Sequence, residues 1–230
     1  QVWTLIDMFP GRPGMTVIGE NGGIVMRDGV EVSSSPLDAP TMREAVRLVR
    51  DATSGPDGID GGLVMCGKQF AYVERTDDRF VDGVMPYYHR TKRVDDQIAI
   101  IDAIEAGQID DAIVKLAVYV IGPVQALAQA TLANFADTHQ YAISGANWAD
   151  LQIRGVDKGS AVRDLQRFLG VDRSQTAVFG DAGNDLSMMS EGDLSFAMAN
   201  ASQDVVEAAR FVAPSNNEAG VTQVLRALLV

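Results

Sequence analysis

The hydrophobic pattern of the chain changes period along its length. At the start, Val2, Leu5, Ile6 and Phe9 recur at helical spacing, and residues 15–18 form a short apolar run of strand length. The segment "GENGGIVMRDGVEV" reads as two β-runs joined at Asp28-Gly29, a dipeptide that accepts the positive φ of a tight hairpin. Residues 33–40, "SSSPLDAP", are a polar, proline-containing boundary. Thr41 and Glu44 make a capping box for a helix whose buried stripe is Met42, Ala45, Val46 and Val49.

Between residues 60 and 150 the pattern is α+β. "GGLVMCG" and "FAYVE" read as strands, "VDDQIAIIDAIEAG" as a helix stopped by Gly107, and "DAIVKLAVYVIG" as a buried strand. Pro123 opens a helix predicted to run to Phe135, with His139 near its end, and "HQYAISG" with "WADLQI" predicts a closing strand pair. Beyond Gly155 helices and strands alternate regularly: a helix over 158–169 closed by Gly170, the strand "QTAVFG", and a helix from Gly183. The strand "LSFAMA", a helix over 202–209, the strand "RFVAP" and a terminal helix over 218–229 follow. That rhythm predicts a parallel, doubly wound sheet, in which ligands bind beyond the carboxyl ends of the strands.

Composition narrows the function. At 47% hydrophobic and 22% charged residues the chain is that of an ordinary folded domain. A formal charge of -12 argues against nucleic acid as a partner, because phosphate backbones need a basic surface. No apolar run reaches the ~18 residues that span a bilayer, so no membrane partner is expected. The lone Cys66 has no partner for an internal disulfide and fits a reducing, cytoplasmic setting. Oligomeric state is not legible.

One stretch concentrates the chemistry. In "VFGDAGNDLSMM", Asp181 follows a strand directly and Asp185 lies one helical turn further on. Few carboxylates with room for water suit Mg²⁺, and Asn184 with the first helical N–H groups suits an anion. The same residues also suit a plain helix cap and turn. Lys158 opens a helix, where the macrodipole disfavours a cation unless an anion compensates it; the alternative is a solvated surface lysine. Asn216 and Asn217 precede the last helix as caps or as phosphate contacts. Lys68, Tyr87, Tyr88, His89 and Arg90 read either as substrate contacts or as packing and solvated charge. His89 has no Cys or His at metal-ligand spacing and reads as a structural or surface residue. Trp3, Trp148 and the methionines read as packing residues, with Met188 and Met189 beneath the motif.

Four ordered blocks, "GVDKGSAV", "FGDAGNDLSMM", "AMANASQDVVEAARFV" and "SNNEAGV", resemble the Cof-type branch of the haloacid dehalogenase (HAD)-like phosphatases. "GENGG" is similar to that branch's Asn-Gly turn. The resemblance implies an α/β fold, a doubly wound, Rossmann-like core over 1–32 and 149–230 with an inserted α+β cap over 33–148. It implies a Mg²⁺-dependent phosphatase acting on small phosphorylated metabolites, sugar phosphates foremost, through an aspartyl-phosphate. Asp181 would then bind the metal, and Asp185 would assist at the metal or pair with Lys158. Lys158 would steady the nucleophile and the phosphoryl charge, and Asn184 would hold the phosphate. Asn21, Gly22 and Asn216 would be further phosphate contacts. A phosphotransferase or phosphomutase of the same fold, or a catalytically silent phospholigand-binding domain, are the alternatives.

The sequence departs from that family in one respect. The family's nucleophile lies in an Asp-x-Asp-x-Thr segment, and a Ser/Thr-Gly-Arg segment follows it. Neither occurs, and Asp7, followed by Phe9 and Pro10, does not match. By the resemblance, about 40 N-terminal residues carrying the nucleophile and a central strand lie outside this sequence, and the 230 residues alone are expected to be inactive.

Overall fold

The protein's structure, a computed structural model, describes residues 2–9 and 12–229. It divides into two compact units, Gln1–Gly29 with Ser34–Val156, and Val30–Ser33 with Asp157–Val230.

In the first unit α1 (Val2–Met8) precedes β1 (Thr16–Gly19), which runs antiparallel to β2 (Ile24–Arg27). Val2, Val17, Ile24 and Met26 bury their side chains together. Asp28 and Gly29 both take positive φ (51° and 79°), as the predicted tight turn requires, and β3 (Val30–Ser34), most of which belongs to the second unit, follows them. α2 (Ala39–Thr53) starts two residues before the predicted Thr41 box. Asp38 is its N-cap, accepting the Thr41 N–H at 2.8 Å, and Pro40 sits in the first turn, where a missing N–H costs nothing.

The rest of this unit is built on one mixed sheet. Its elements are β4 (Gly61–Gly67), β5 (Ala71–Val73), α3 (Asp78–Val84), β6 (Thr91–Arg93), α4 (Gln97–Glu105), β7 (Ile113–Val120), α5 (Gln125–Ala130), β8 (His139–Ile143) and β9 (Trp148–Ile153). The strand order is β6-β5-β4-β7-β9-β8. Alternation along the strands sends Met65, Leu116, Val118 and Leu151 into a core with Val46, Ile101 and Leu127 of α2, α4 and α5. The other face carries Val64, Cys66 and Ala117, packed with Phe80, Val84 and Tyr88. Burial pushes the Cys66 thiol up to about 12, so it is protonated and inert.

Two expectations are corrected here. The helix predicted from Pro123 to Phe135 is interrupted at Thr131 (φ -123°, ψ -87°), whose hydroxyl donates to the Leu127 carbonyl at 2.6 Å, and a 3-10 turn, Leu132–Phe135, follows. The β-branched hydroxyl competes with the ladder for a carbonyl and closes the helix early. His139 opens β8 instead of capping a helix; it is buried, with Nδ1 2.9 Å from the Thr138 hydroxyl. α3 and β6 were not anticipated, because both are short and carry weak periodicity.

The second unit follows the predicted alternation. α6 (Lys158–Leu169) ends at Gly170 (φ 66°), then come β10 (Ala177–Gly180), α7 (Leu186–Met189), β11 (Leu194–Met198), α8 (Gln203–Ala208), β12 (Phe211–Ala213) and α9 (Gly220–Leu228). β10, β11 and β12 are parallel neighbours, with Phe179 opposite Phe196 and Phe196 opposite Phe211. Those three rings stack at 4.9 and 5.2 Å on one face, while Val178, Ala197, Met189 and Val205 fill the other. Met189 is buried beneath the motif as expected, and Met188 is partly so. α9 starts at Gly220 instead of Glu218, after a 3-10 turn and a left-handed Ala219 (φ 55°). Together the units give the α/β architecture read from the sequence, with a parallel, helix-flanked sheet in one and an α+β sheet in the other. Among the described residues no helix is long and apolar enough to cross a membrane.

Candidate active site

The site lies in the second unit, at the carboxyl ends of its parallel strands. β10 stops at Gly180, and no side chain larger than hydrogen fits there: a Cβ would stand 2.6 Å from the Asp185 Cβ and 2.5 Å from the Met189 Sδ-methyl. That close approach lets the 3-10 turn Gly183–Asp185 fold back under the strand end. Asp185 is buried at 4% exposure and both its oxygens are engaged. Oδ2 accepts the backbone N–H groups of Asp181 (2.9 Å) and Ala182 (3.1 Å), and Oδ1 accepts from Lys158 Nζ at 2.5 Å.

Asp185 is therefore the organiser of the loop. Its burial alone would push the carboxyl up, but the Lys158 ammonium and the two N–H donors outweigh that and hold it below the ordinary carboxylate range. Asp181 is placed differently. Its carboxylate is exposed, while its backbone is pinned by the Asp185 oxygen and by the Ser202 N–H, which donates to the Asp181 carbonyl at 2.9 Å. A fixed backbone carrying an open carboxylate is suited to a ligand. Asn184, between the two acids, is exposed.

Lys158 comes from the start of α6, whose first turn is capped by Asp157 accepting the Ser160 N–H at 2.7 Å. A cation at that helix end is unfavourable by itself, and Asp185 supplies the compensating charge that the sequence demanded. The approach of α6 to α7 depends on Gly159. Its N–H donates to Ser187 Oγ at 3.0 Å, and an added Cβ would collide with the Ser187 carbonyl oxygen. Gly159→Ala is expected to lower stability by about 1–3 kcal/mol, as overpacking against backbone does. Urea denaturation reads it, and an unchanged midpoint would mean that α6 shifts freely.

Asn216 lies on the same edge, beyond β12, and its N–H donates to Asn200 Oδ1 at 3.1 Å. Asn200 lies two residues past the carboxyl end of β11, at the same end of the sheet where Asp181 follows β10, and sequence reasoning passed over it. Its signal was the step from an apolar strand into "NAS". Ser187 was missed as well, because a hydroxyl inside an apolar helix carries no pattern of its own. Asn21 and Gly22 lie in the first unit, in a turn where Glu20, Asn21 and Gly22 all have positive φ (48°, 51° and 102°). Asn217, Lys68, Tyr87, His89 and Arg90 join none of these contacts; Tyr88 is buried against Cys66 Sγ, 3.4 Å from its hydroxyl.

Among the described residues no three His, Cys, Asp or Glu side chains converge on one point. Of the two acids, Asp185 is turned inward and Asp181 is exposed, so Asp181 could offer oxygen to a hard cation such as Mg²⁺, which takes few carboxylates and keeps several waters.

The chain is similar to known proteins over most of its length. A family model described as haloacid dehalogenase-like hydrolase matches residues 7–225. A 5-amino-6-(5-phospho-D-ribitylamino)uracil phosphatase of Escherichia coli (strain K12) is 31% identical over 234 residues, covering 100% of this chain and 80% of that protein. A solved protein of Streptococcus mutans UA159 superposes with a TM-score of 0.76 at 22% identity, over 99% of this chain and 82% of that one. A solved subclass IIB sugar phosphatase does so with a TM-score of 0.67 at 16% identity, over 93% and 75%. The two structural likenesses speak for the fold alone.

Proposed function

The chain belongs to the haloacid dehalogenase-like hydrolases, as a phosphatase of that family, and from there we propose a Mg²⁺-dependent phosphatase of small phosphorylated metabolites, sugar phosphates foremost. The observation that carries this reading is the pairing of Lys158 Nζ with the buried Asp185 Oδ1 at 2.5 Å beside an open Asp181 at a parallel strand end. Phosphoryl transfer is mostly positioning and charge neutralisation, and this edge offers both.

Asp181 would hold the metal, with Asn184 against the substrate phosphate. Bound there, the ion would draw charge from the phosphoryl oxygens and hold the ester in place. Lys158, half-buried, presents its remaining N–H donors to the transferring phosphoryl group, where they neutralise charge that grows in the transition state. Asp185 keeps that ammonium in place and keeps the Asp181 backbone fixed. Asn216, with Asn200 behind it, borders the same edge, and Asn21 and Gly22 would supply a further phosphate contact.

The nucleophile of this scheme is a carboxylate that attacks phosphorus, releases the alcohol, and is then freed by water. No Asp-x-Asp segment occurs in the 230 residues. Among the described residues no strand pairs with the free edge of β10. A parallel strand added there would deliver a carboxylate next to Asp181, and unpaired strand edges favour such an addition.

The protein as its gene encodes it tests the proposal. It should release inorganic phosphate from an aryl phosphate and from members of a sugar-phosphate panel, lose that activity in EDTA, and regain it with excess Mg²⁺. Turnover unaffected by EDTA would sink the metal assignment. Binding of phosphate esters without any turnover would favour the catalytically silent reading.

A further inference from the structure

The Glu20–Asn21–Gly22 turn of the first unit is strained and anchored by unusual means. Non-glycine residues avoid the left-handed region, yet Glu20 and Asn21 occupy it consecutively (φ 48° and 51°). Such strain persists only where surrounding contacts over-determine it. Contacts from the mixed sheet contribute to this. Gln152 of β9 donates its amide N–H to the Glu20 carbonyl at 2.6 Å, across 132 residues of sequence. Lys115 of β7 places its ammonium 2.8 Å from Glu20 Oε2 and 3.6 Å from Asp150 Oδ2.

All three charged groups are buried, Glu20 at 5%, Lys115 at 5% and Asp150 at 8% exposure. Burying ions is costly, and a hydrophobic trio of the same volume would hold a sheet at least as well. Their retention points to a geometric task, which is to hold Glu20 where it is. Gly23 N–H closes the turn onto the Glu20 carbonyl at 3.0 Å, the same oxygen that Gln152 grips, and an added Cβ at Gly23 would stand 3.3 Å from the Gln152 amide nitrogen. A second tie secures the neighbouring helix: the Trp3 indole N–H donates to the Lys68 carbonyl at 2.7 Å, and the Arg90 guanidinium lies 4.8 Å over the Trp3 ring.

We propose that Lys115 is a positioning residue, which with Gln152 locks the Glu20–Gly22 turn onto the mixed sheet and so sets the placement of Asn21 and Gly22. The link from turn placement to catalysis rests on the proposed function, in which those two residues contact the substrate phosphate. The lock itself does not.

Glu20→Gln is the informative variant. It preserves size and leaves Lys115 and Asp150 as a one-to-one pair, so the buried cluster is left with balanced charge. Hydrogen exchange of the complete protein should show the Gly23 amide opening about tenfold faster or more in Glu20→Gln and in Gln152→Leu, while the amides of β7 and β9 keep their wild-type rates. In the phosphatase assay KM should rise with kcat nearly unchanged, the signature of a lost binding contact. Unchanged Gly23 exchange in both variants would overturn the lock. So would β7 and β9 amides accelerating in step with Gly23, which would mark the cluster as general sheet support. A loosened turn with unchanged KM would uphold the lock and overturn the phosphate role of Asn21 and Gly22.

Discussion

Asp181→Asn is expected to cut turnover of the complete enzyme by about 10²–10³-fold, the loss typical of removing one preorganised charge-stabilising group. The exchange retains shape. The two backbone bonds that fix residue 181, from its N–H to Asp185 and from Ser202 to its carbonyl, do not involve the side chain and survive it. Because the carboxylate is exposed, stability should stay within about 0.5 kcal/mol of wild type. What changes is one negative oxygen for a neutral one at the proposed metal position. Titration calorimetry with Mg²⁺ should show weakened binding, and added Mg²⁺ should recover only part of the rate. Full activity at ordinary Mg²⁺ concentration would remove Asp181 from the metal.

The second large effect belongs to Lys158. Lys158→Met should lower turnover by about 10²–10³-fold and also destabilise the fold, because it strands the Asp185 carboxylate in a buried position. The lysine side chain is 31% exposed, so solvent screens part of the pair and the loss should be about 1–3 kcal/mol, below that of a fully buried pair. Its pH dependence has a definite sign. The Asp185 carboxyl is held below its reference value of 3.8 in the folded protein. The stabilisation is therefore complete above that value and is lost as pH falls through the lower, folded value. The gap between wild type and variant should be widest at neutral pH and should narrow in acid. Adding Asp185→Asn to Lys158→Met removes the stranded charge, so the double variant should regain stability without regaining turnover. Denaturation at a series of pH values, set beside the assay, checks both halves, and a pH-independent gap would show that Lys158 acts by packing.

Much of the candidate site is legible in the sequence. The strand-to-helix step at Gly180–Asp185 follows from an apolar β-run broken by glycines and acids, and the cation at the helix start called for an anion. Asp185 proved to be that anion, 27 positions away. Sequence left open whether Asp185 would assist at a metal or pair with the lysine. In the structure the missing side chain of Gly180 lets Asp185 turn inward under the strand, where Lys158 and two backbone donors reach it.

Other features had no sequence signature. Lys115 sits in "IVKLAVYV" as one polar residue in a buried strand, and a period-2 pattern reveals which face it occupies without revealing what waits there. Its partners, Glu20 and Asp150, come from a strained turn and a strand distant in the chain. Asn200 beside Asn216 is likewise a product of strands lying parallel.

The sequence by itself determined the βα alternation of the last third, the buried stripe of α2, the Asp28-Gly29 turn and the residue types that gather at the candidate site. Each of these depends on backbone propensity and hydrophobic periodicity over a few neighbouring residues. The tertiary structure alone decided which carboxylate faces inward, where Thr131 ends a helix, and that a buried lysine grips the Glu20 turn. Those outcomes depend on which distant groups share a space from which water is excluded, and there a charge must find a partner that local pattern does not encode.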